Sequence, residues 1–124
     1  MKDYIQEDLD RRTKRFALAV IRLYSALPRS SVCYVLGRQL LGSGTSVGAH
    51  YREARRAKSN ADFISKIEGA LQELDETAYW LELLREAGLA LADEVGKLVD
   101  ESNELISIFV SVVRRVKSAP GTTL

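Results

Sequence analysis

The sequence predicts an all-α protein that folds as an antiparallel up-down-up-down four-helix bundle. Apolar residues recur at steps of three and four along almost the whole chain, as they do on the buried face of an amphipathic helix. Proline, serine or glycine interrupts this pattern at three places and leaves only short connections, which favour antiparallel neighbours. No segment combines the two-residue alternation of a β-strand with hairpin-turn residues.

The first two helical segments meet at Pro28. Proline cannot continue a helix comfortably, and Ser30 or Ser31 can cap the next helix by accepting a bond from a free backbone N–H. The expected apolar seam of the first helix is Phe16, Val20, Leu23, Tyr24 and Leu27, and that of the second is Val32, Leu36, Leu40, Ser43, Val47, His50 and Ala54.

The third helix is expected to begin after Ser59, which forms a pattern similar to a capping box with Asp62. Gly88 suits a left-handed residue at its C-terminal end, and the fourth helix ends before Pro120. The expected third seam is Phe63, Ile67, Ala70, Leu71, Leu74, Ala78, Leu81 and Leu84, and the fourth is Leu91, Val95, Leu98, Ser102, Leu105, Phe109, Val112 and Val116.

Length and composition indicate one domain over residues 1–124, with a core of about residues 10–118 and a loose tail at residues 119–124. The chain has 124 residues, of which 46% are hydrophobic and 28% charged, as is usual for a soluble globular protein. The charged N-terminus does not resemble a secretory signal, and no uncharged run is long enough to span a bilayer. With one cysteine, Cys33, which we expect to be buried, a cytoplasmic location with no membrane association is predicted.

A glycine-rich stretch, "LLGSGTSVGAHYREARRAKS" at residues 40–59, has two interpretations. A nucleotide-binding loop is disfavoured, because such loops join a strand to a helix and the chain shows no βαβ pattern. A helix fits better, since Gly44 and Gly48 share one face. Interior glycine costs a helix about 1 kcal/mol relative to alanine. We therefore expect a close neighbour at this face, either within the bundle or in another subunit.

Cations are concentrated at the ends of the second and fourth helices. Some of them are explained by the negative end of the helix dipole. The two helices are parallel in the predicted bundle, so their C-terminal ends meet, and so many cations together favour binding of phosphate. The predicted nucleic-acid-binding residues are Arg52, Arg55, Arg56, Lys58, Arg114, Arg115 and Lys117.

The polar residues near the expected seam are His50, Glu53, Glu73 and Glu76, and we interpret them as a structural polar core. His50 is expected to pair with a carboxylate such as Glu73 or Glu76, so that a His50→Leu substitution would cost about 1–3 kcal/mol. Di-iron bundles use Glu-x-x-His, whereas this chain has the reversed order around its single histidine. No nucleophile motif is present either, so no metal, no cofactor and no enzymatic activity are predicted.

The segment from Gln39 to Leu84 carries a family resemblance. Its features are a Gln-Leu, a run of small residues at positions 43–46, a serine before a helix that begins with an aromatic residue, and Glu76 followed by Tyr-Trp-Leu at 79–81. The chain thus resembles the small bacterial four-helix-bundle family named after proteins encoded in intervening sequences of 23S ribosomal RNA genes, sometimes labelled S23 ribosomal proteins. The family usually has asparagine where this chain has His50.

The resemblance implies a bundle that often assembles as a ring-shaped homopentamer. It also implies kinship with the accessory variability protein of diversity-generating retroelements, which binds nucleic acid and a reverse transcriptase. We therefore expect a non-enzymatic oligomer that binds RNA or DNA through its basic end. The alternative is a protein–protein scaffold or accessory subunit that does not bind nucleic acid.

Overall fold

The computed structural model describes the backbone of residues 2–119 and the side chains of residues 9–119. Four helices, with no strand in this range, confirm the predicted all-α fold: α1 (Lys2–Ser25), α2 (Ser31–Arg55), α3 (Asn60–Glu86) and α4 (Ala92–Ser118). Each helix packs on the next along the chain. Residues 120–124 of the predicted tail lie outside the described residues. No helix within residues 2–119 is both long and apolar enough to cross a membrane.

The helix ends follow the capping residues of the sequence. Ser30 accepts a bond from the backbone N–H of Cys33, and Ser59 accepts one from that of Asp62. The Asp62 carboxylate reaches the N–H of Lys58 at 3.4 Å, one residue earlier than in a standard capping box. Gly88 has a φ of 73°, which confirms the left-handed position predicted for it.

The core runs the full length of the bundle. Near the C-terminal ends of their helices, Tyr51 of α2 and Phe109 of α4 make contact with ring centroids 5.9 Å apart, although α2 and α4 occupy diagonal corners. The contact between α1 and α4 is the thinnest and leaves a groove of about 810 Å³. An ion pair of 2.7 Å between Arg12 and Glu101 bridges that side.

The buried faces are rotated slightly from the predicted seams. On α2, Val32 is 55% exposed and His50 is only half-buried, whereas Cys33 is buried as predicted. Leu91 precedes α4 and is 69% exposed, so its assignment to the fourth seam was wrong. The buried residues that the seams omitted include Leu9, Thr13, Gly37, Gly44, Tyr51, Ile64, Thr77 and Val113.

The glycines of α2 explain this rotation. A Cβ atom at Gly44 would lie 2.8 Å from both methyl groups of Val20, and one at Gly37 would lie 2.7 Å from the Tyr24 ring. A Cβ at Gly48 would lie 3.1 Å from the hydroxyl of Thr13. These side chains all belong to α1, so the close neighbour expected at the glycine face is a helix of the same chain.

Two glycines two residues apart therefore test this packing. Gly44→Ala should destabilise the fold by about 1–3 kcal/mol, because the new methyl group overlaps the stiff, buried Val20. Gly42→Ala should stabilise it by up to about 1 kcal/mol, because nothing lies within 4 Å and alanine favours the helix. Urea unfolding of both variants measures the difference, and equal effects would contradict the packing.

Candidate nucleic-acid interface

The C-terminal ends of α2 and α4 lie at the same end of the bundle. The Tyr51–Phe109 contact fixes their relative height. Arg55 follows Tyr51 by four residues and Arg115 follows Phe109 by six. At 1.5 Å per residue these positions are roughly 6 Å and 9 Å beyond the aromatic contact. The structure therefore brings the predicted cations to one end, here called the basic end: Arg52, Arg55, Arg56, Lys58, Arg114, Arg115 and Lys117.

Two of these cations form ion pairs with a carboxylate of the same chain. The guanidinium of Arg55 binds the carboxylate of Asp10 on α1 directly. The Arg52 Nε atom lies 3.9 Å from the same carboxylate. Asp10 stands 42 residues before Arg52 in the chain, and no local pattern indicates that the two meet. Arg52 and Arg55 thus tie the end of α2 to α1 and have less charge available for a ligand.

The other five cations remain available. Arg56 and Lys58 lie in the connection after α2, and Arg114, Arg115 and Lys117 lie in the last turns of α4. All five are exposed. Among the side chains of residues 9–119, no carboxylate lies within 4.0 Å of any of them. They form a solvated set of positive charges that a phosphate could approach.

The expected polar core is only partly assembled. His50 Nε2 lies 3.5 Å from Glu73 Oε2, with 31% of the histidine side chain and 25% of the glutamate side chain exposed. Glu76 is exposed, and Glu53 is exposed beside Lys66 at 3.7 Å, so neither belongs to a core. Glu53 therefore bridges α2 and α3 at the surface, and Glu76 faces solvent from α3.

Hydroxyl groups supply the buried polar contacts that the sequence interpretation missed. Ser43 and Thr77, both buried, place their Oγ atoms 2.8 Å apart between α2 and α3. Ser102 of α4 donates to the carbonyl of Leu74 at 3.3 Å. Among the described side chains, no three residues of the His, Cys, Asp or Glu type converge in a way that could hold a metal ion.

Tyr51 sits directly beneath the basic end. Burial raises the pKa of its phenol to about 12, with Arg55 opposing this shift and Asp10 adding to it. The neutral phenol is therefore the form that folding favours. Its ring contact with Phe109 places this buried group against both helices that form the basic end.

The fold and this surface define a small four-helix-bundle protein with one cationic end. The family model of the 23S rRNA-intervening sequence protein matches residues 8–111, and the chain belongs to that family. A solved protein of unknown function from Bacteroides thetaiotaomicron, assigned to the S23 ribosomal protein family, is similar to it. The two are 35% identical with a TM-score of 0.82, over 88% of this chain and 97% of the other. No curated protein matches the chain.

The half-exposed position of His50 lowers the cost expected for its replacement. His50→Leu should destabilise the fold by about 1 kcal/mol or less, because water can solvate the Glu73 carboxylate that it leaves behind. His50→Asn should be nearly neutral. A double-mutant cycle with Glu73→Gln, measured by urea unfolding, isolates the contact. A coupling of zero would show that the two side chains do not stabilise each other.

Tyr51 predicts a loss of stability at alkaline pH. Its folded pKa of about 12 exceeds the ordinary value of 10.0. The stabilisation is therefore fully present below pH 10 and is lost as the pH rises to about 12. The melting temperature should fall less steeply with rising pH across this range for Tyr51→Phe than for the wild type. If the melting temperatures of wild type and variant fell equally steeply with pH, the raised pKa of Tyr51 would be contradicted.

Proposed function

We propose that the protein is a non-enzymatic, cytoplasmic homo-oligomer that binds RNA or DNA through its basic end. The observation that carries this proposal is the set of five exposed cations without an ion-pair partner among the described residues: Arg56, Lys58, Arg114, Arg115 and Lys117. A cluster of cations on one surface is the usual electrostatic footprint for nucleic-acid phosphates.

The chemistry of this surface suits backbone recognition. Lysine and arginine neutralise phosphates and release counterions, so affinity falls steeply as salt is added. Arginine also forms paired hydrogen bonds with phosphate oxygens. The described cations lie on helix ends and a connection rather than on a helix placed for groove reading, which favours binding with little sequence preference.

An oligomer would present the basic end several times. Each additional contact to the same nucleic acid becomes intramolecular, so a weak site per subunit gains strength through multivalency. The family resemblance supports a pentamer as the form of this assembly. It also supports a protein partner of the reverse-transcriptase kind.

A scaffold that binds only proteins is the second candidate. The opposite end of the bundle favours it, because large apolar side chains are exposed near the start of α2 and before α4. Val32, Tyr34, Val35 and Leu91 are between 55% and 69% exposed. Val32 and Val35 are three residues apart and so are neighbours on α2, and exposed apolar neighbours of this kind are typical of protein-binding surfaces.

Fluorescence anisotropy with a structured RNA and a DNA duplex tests the nucleic-acid proposal. The wild type should bind both at low salt and weaken steeply towards physiological salt. The variant Arg56→Glu, Arg115→Glu, Lys117→Glu should lose most of the affinity, because it reverses three exposed cations that form no ion pair among the described residues.

The matched control reverses three cations elsewhere: Arg29→Glu, Arg38→Glu, Lys97→Glu. This control has the same net charge as the test variant, so a general charge effect would weaken both equally. Absence of wild-type binding at low salt would favour the scaffold. Equal binding by the folded test variant and the control would rule out the basic end as the site.

A further inference from the structure

Exposed stripes of opposite charge lie on α1 and α3, and two members of the α1 stripe, Arg15 and Arg22, also line the groove between α1 and α4. Both stripes advance in steps of three and four residues, which keeps their members on one side of a helix. The α1 stripe consists of Arg11, Arg15, Leu18, Arg22 and Ser25, and the α3 stripe consists of Gln72, Asp75, Tyr79, Glu82 and Glu86. All ten residues are exposed.

The charged members of both stripes are available for a partner. No ion pair within 4.0 Å joins any of them to another described residue. Each stripe also has one large apolar or aromatic residue between its charges: Leu18 is 42% exposed and Tyr79 is 55% exposed. An apolar centre with a charged surround is the usual arrangement of a protein–protein interface.

We propose that the α1 stripe of one copy binds the α3 stripe of a second copy, with the two helices antiparallel. Placing Leu18 against Tyr79 sets the register of the whole contact. In this register, a residue that precedes Leu18 by a given number of positions faces the residue that follows Tyr79 by the same number of positions. The resulting pairs are Arg11 with Glu86, Arg15 with Glu82, Arg22 with Asp75, and Ser25 with Gln72.

The antiparallel register is the one that the spacing favours. With the helices parallel and the same central pair, Arg22 would face Leu83 and Arg11 would face Gln72. The antiparallel pairing instead gives every stripe arginine a carboxylate. It also pairs the two uncharged polar residues with each other.

A second copy suits these stripes better than a phosphate ligand does. A nucleic acid could use the α1 stripe but would be repelled by the α3 stripe, whereas another copy uses both. The stripes lie on different helices, so the contact is head-to-tail and each copy can bind two others. This inference rests on the self-assembly in the proposed function and is independent of nucleic-acid binding.

Charge exchange between the stripes tests the contact. The α1 variant is Arg11→Glu, Arg15→Glu, Arg22→Glu, and the α3 variant is Asp75→Lys, Glu82→Lys, Glu86→Lys. Each alone places like charges opposite each other and should raise the dissociation constant of self-association by about 100-fold or more. An equimolar mixture of the two should associate again into species larger than a monomer, because each variant then meets opposite charges in the other. Strict alternation of the two variants cannot close a five-membered ring, so the mixture is expected to differ in size from a wild-type pentamer.

Light scattering on the wild type, the two variants, their mixture and an Arg29→Glu, Arg38→Glu control measures the outcome, and circular dichroism checks folding. The interface would be supported if the wild type, the control and the mixture assemble while each single variant has the mass of a monomer, about 13.8 kDa. Folded variants that assemble like the wild type would overturn it and leave self-assembly intact. A mixture that remains monomeric would also overturn the interface. The same holds for an α1 variant that loses RNA binding but still self-associates like the wild type. A monomeric wild type would overturn both the interface and the proposed self-assembly.

Discussion

The close approach of α1 to the glycine face of α2 determines how the rest of the bundle is arranged. Val20 lies where a side chain at position 44 would be, and Tyr24 occupies the corresponding space at position 37. Glycines weaken an isolated helix, and burial of α1 side chains at Gly37 and Gly44 offsets that cost here. The same approach places Asp10 beside Arg55, so the packing of two helices also decides which cations are neutralised.

Two further constraints determine the position of the basic end. The Tyr51–Phe109 contact connects diagonal helices and sets the heights of the α2 and α4 ends relative to each other. The Ser59 cap then begins α3 at Asn60, which leaves four residues between α2 and α3, so that Arg56 and Lys58 stay in an exposed connection. The basic end is thus a consequence of helix register and capping, with no dedicated loop or insertion.

The fold could be predicted from the sequence because its signals are local. Ser30, Ser59 and Gly88 mark helix ends through their own side chain or backbone, and their neighbours in the chain suffice to recognise them. The side of α2 that faces α1 was not predictable in the same way, because glycine leaves no apolar signal in a periodic pattern. The cations of the candidate site could be named from the sequence. The pairing of Arg55 with Asp10 could not, because it depends on the tertiary contact between α1 and α2.

The net charge of the chain is small, but positive and negative residues are concentrated on different helices of the bundle. The chain carries +1 overall, yet residues 9–25 on α1 contain five cations and one acid, and α3 contains seven acids and two cations. Contact between the α1 and α3 stripes of neighbouring copies would neutralise these two surfaces against each other. The cations of the basic end take no part in that pairing. Assembly would therefore leave the basic end as the main exposed positive surface, which explains how a nearly neutral chain could still attract a polyanion.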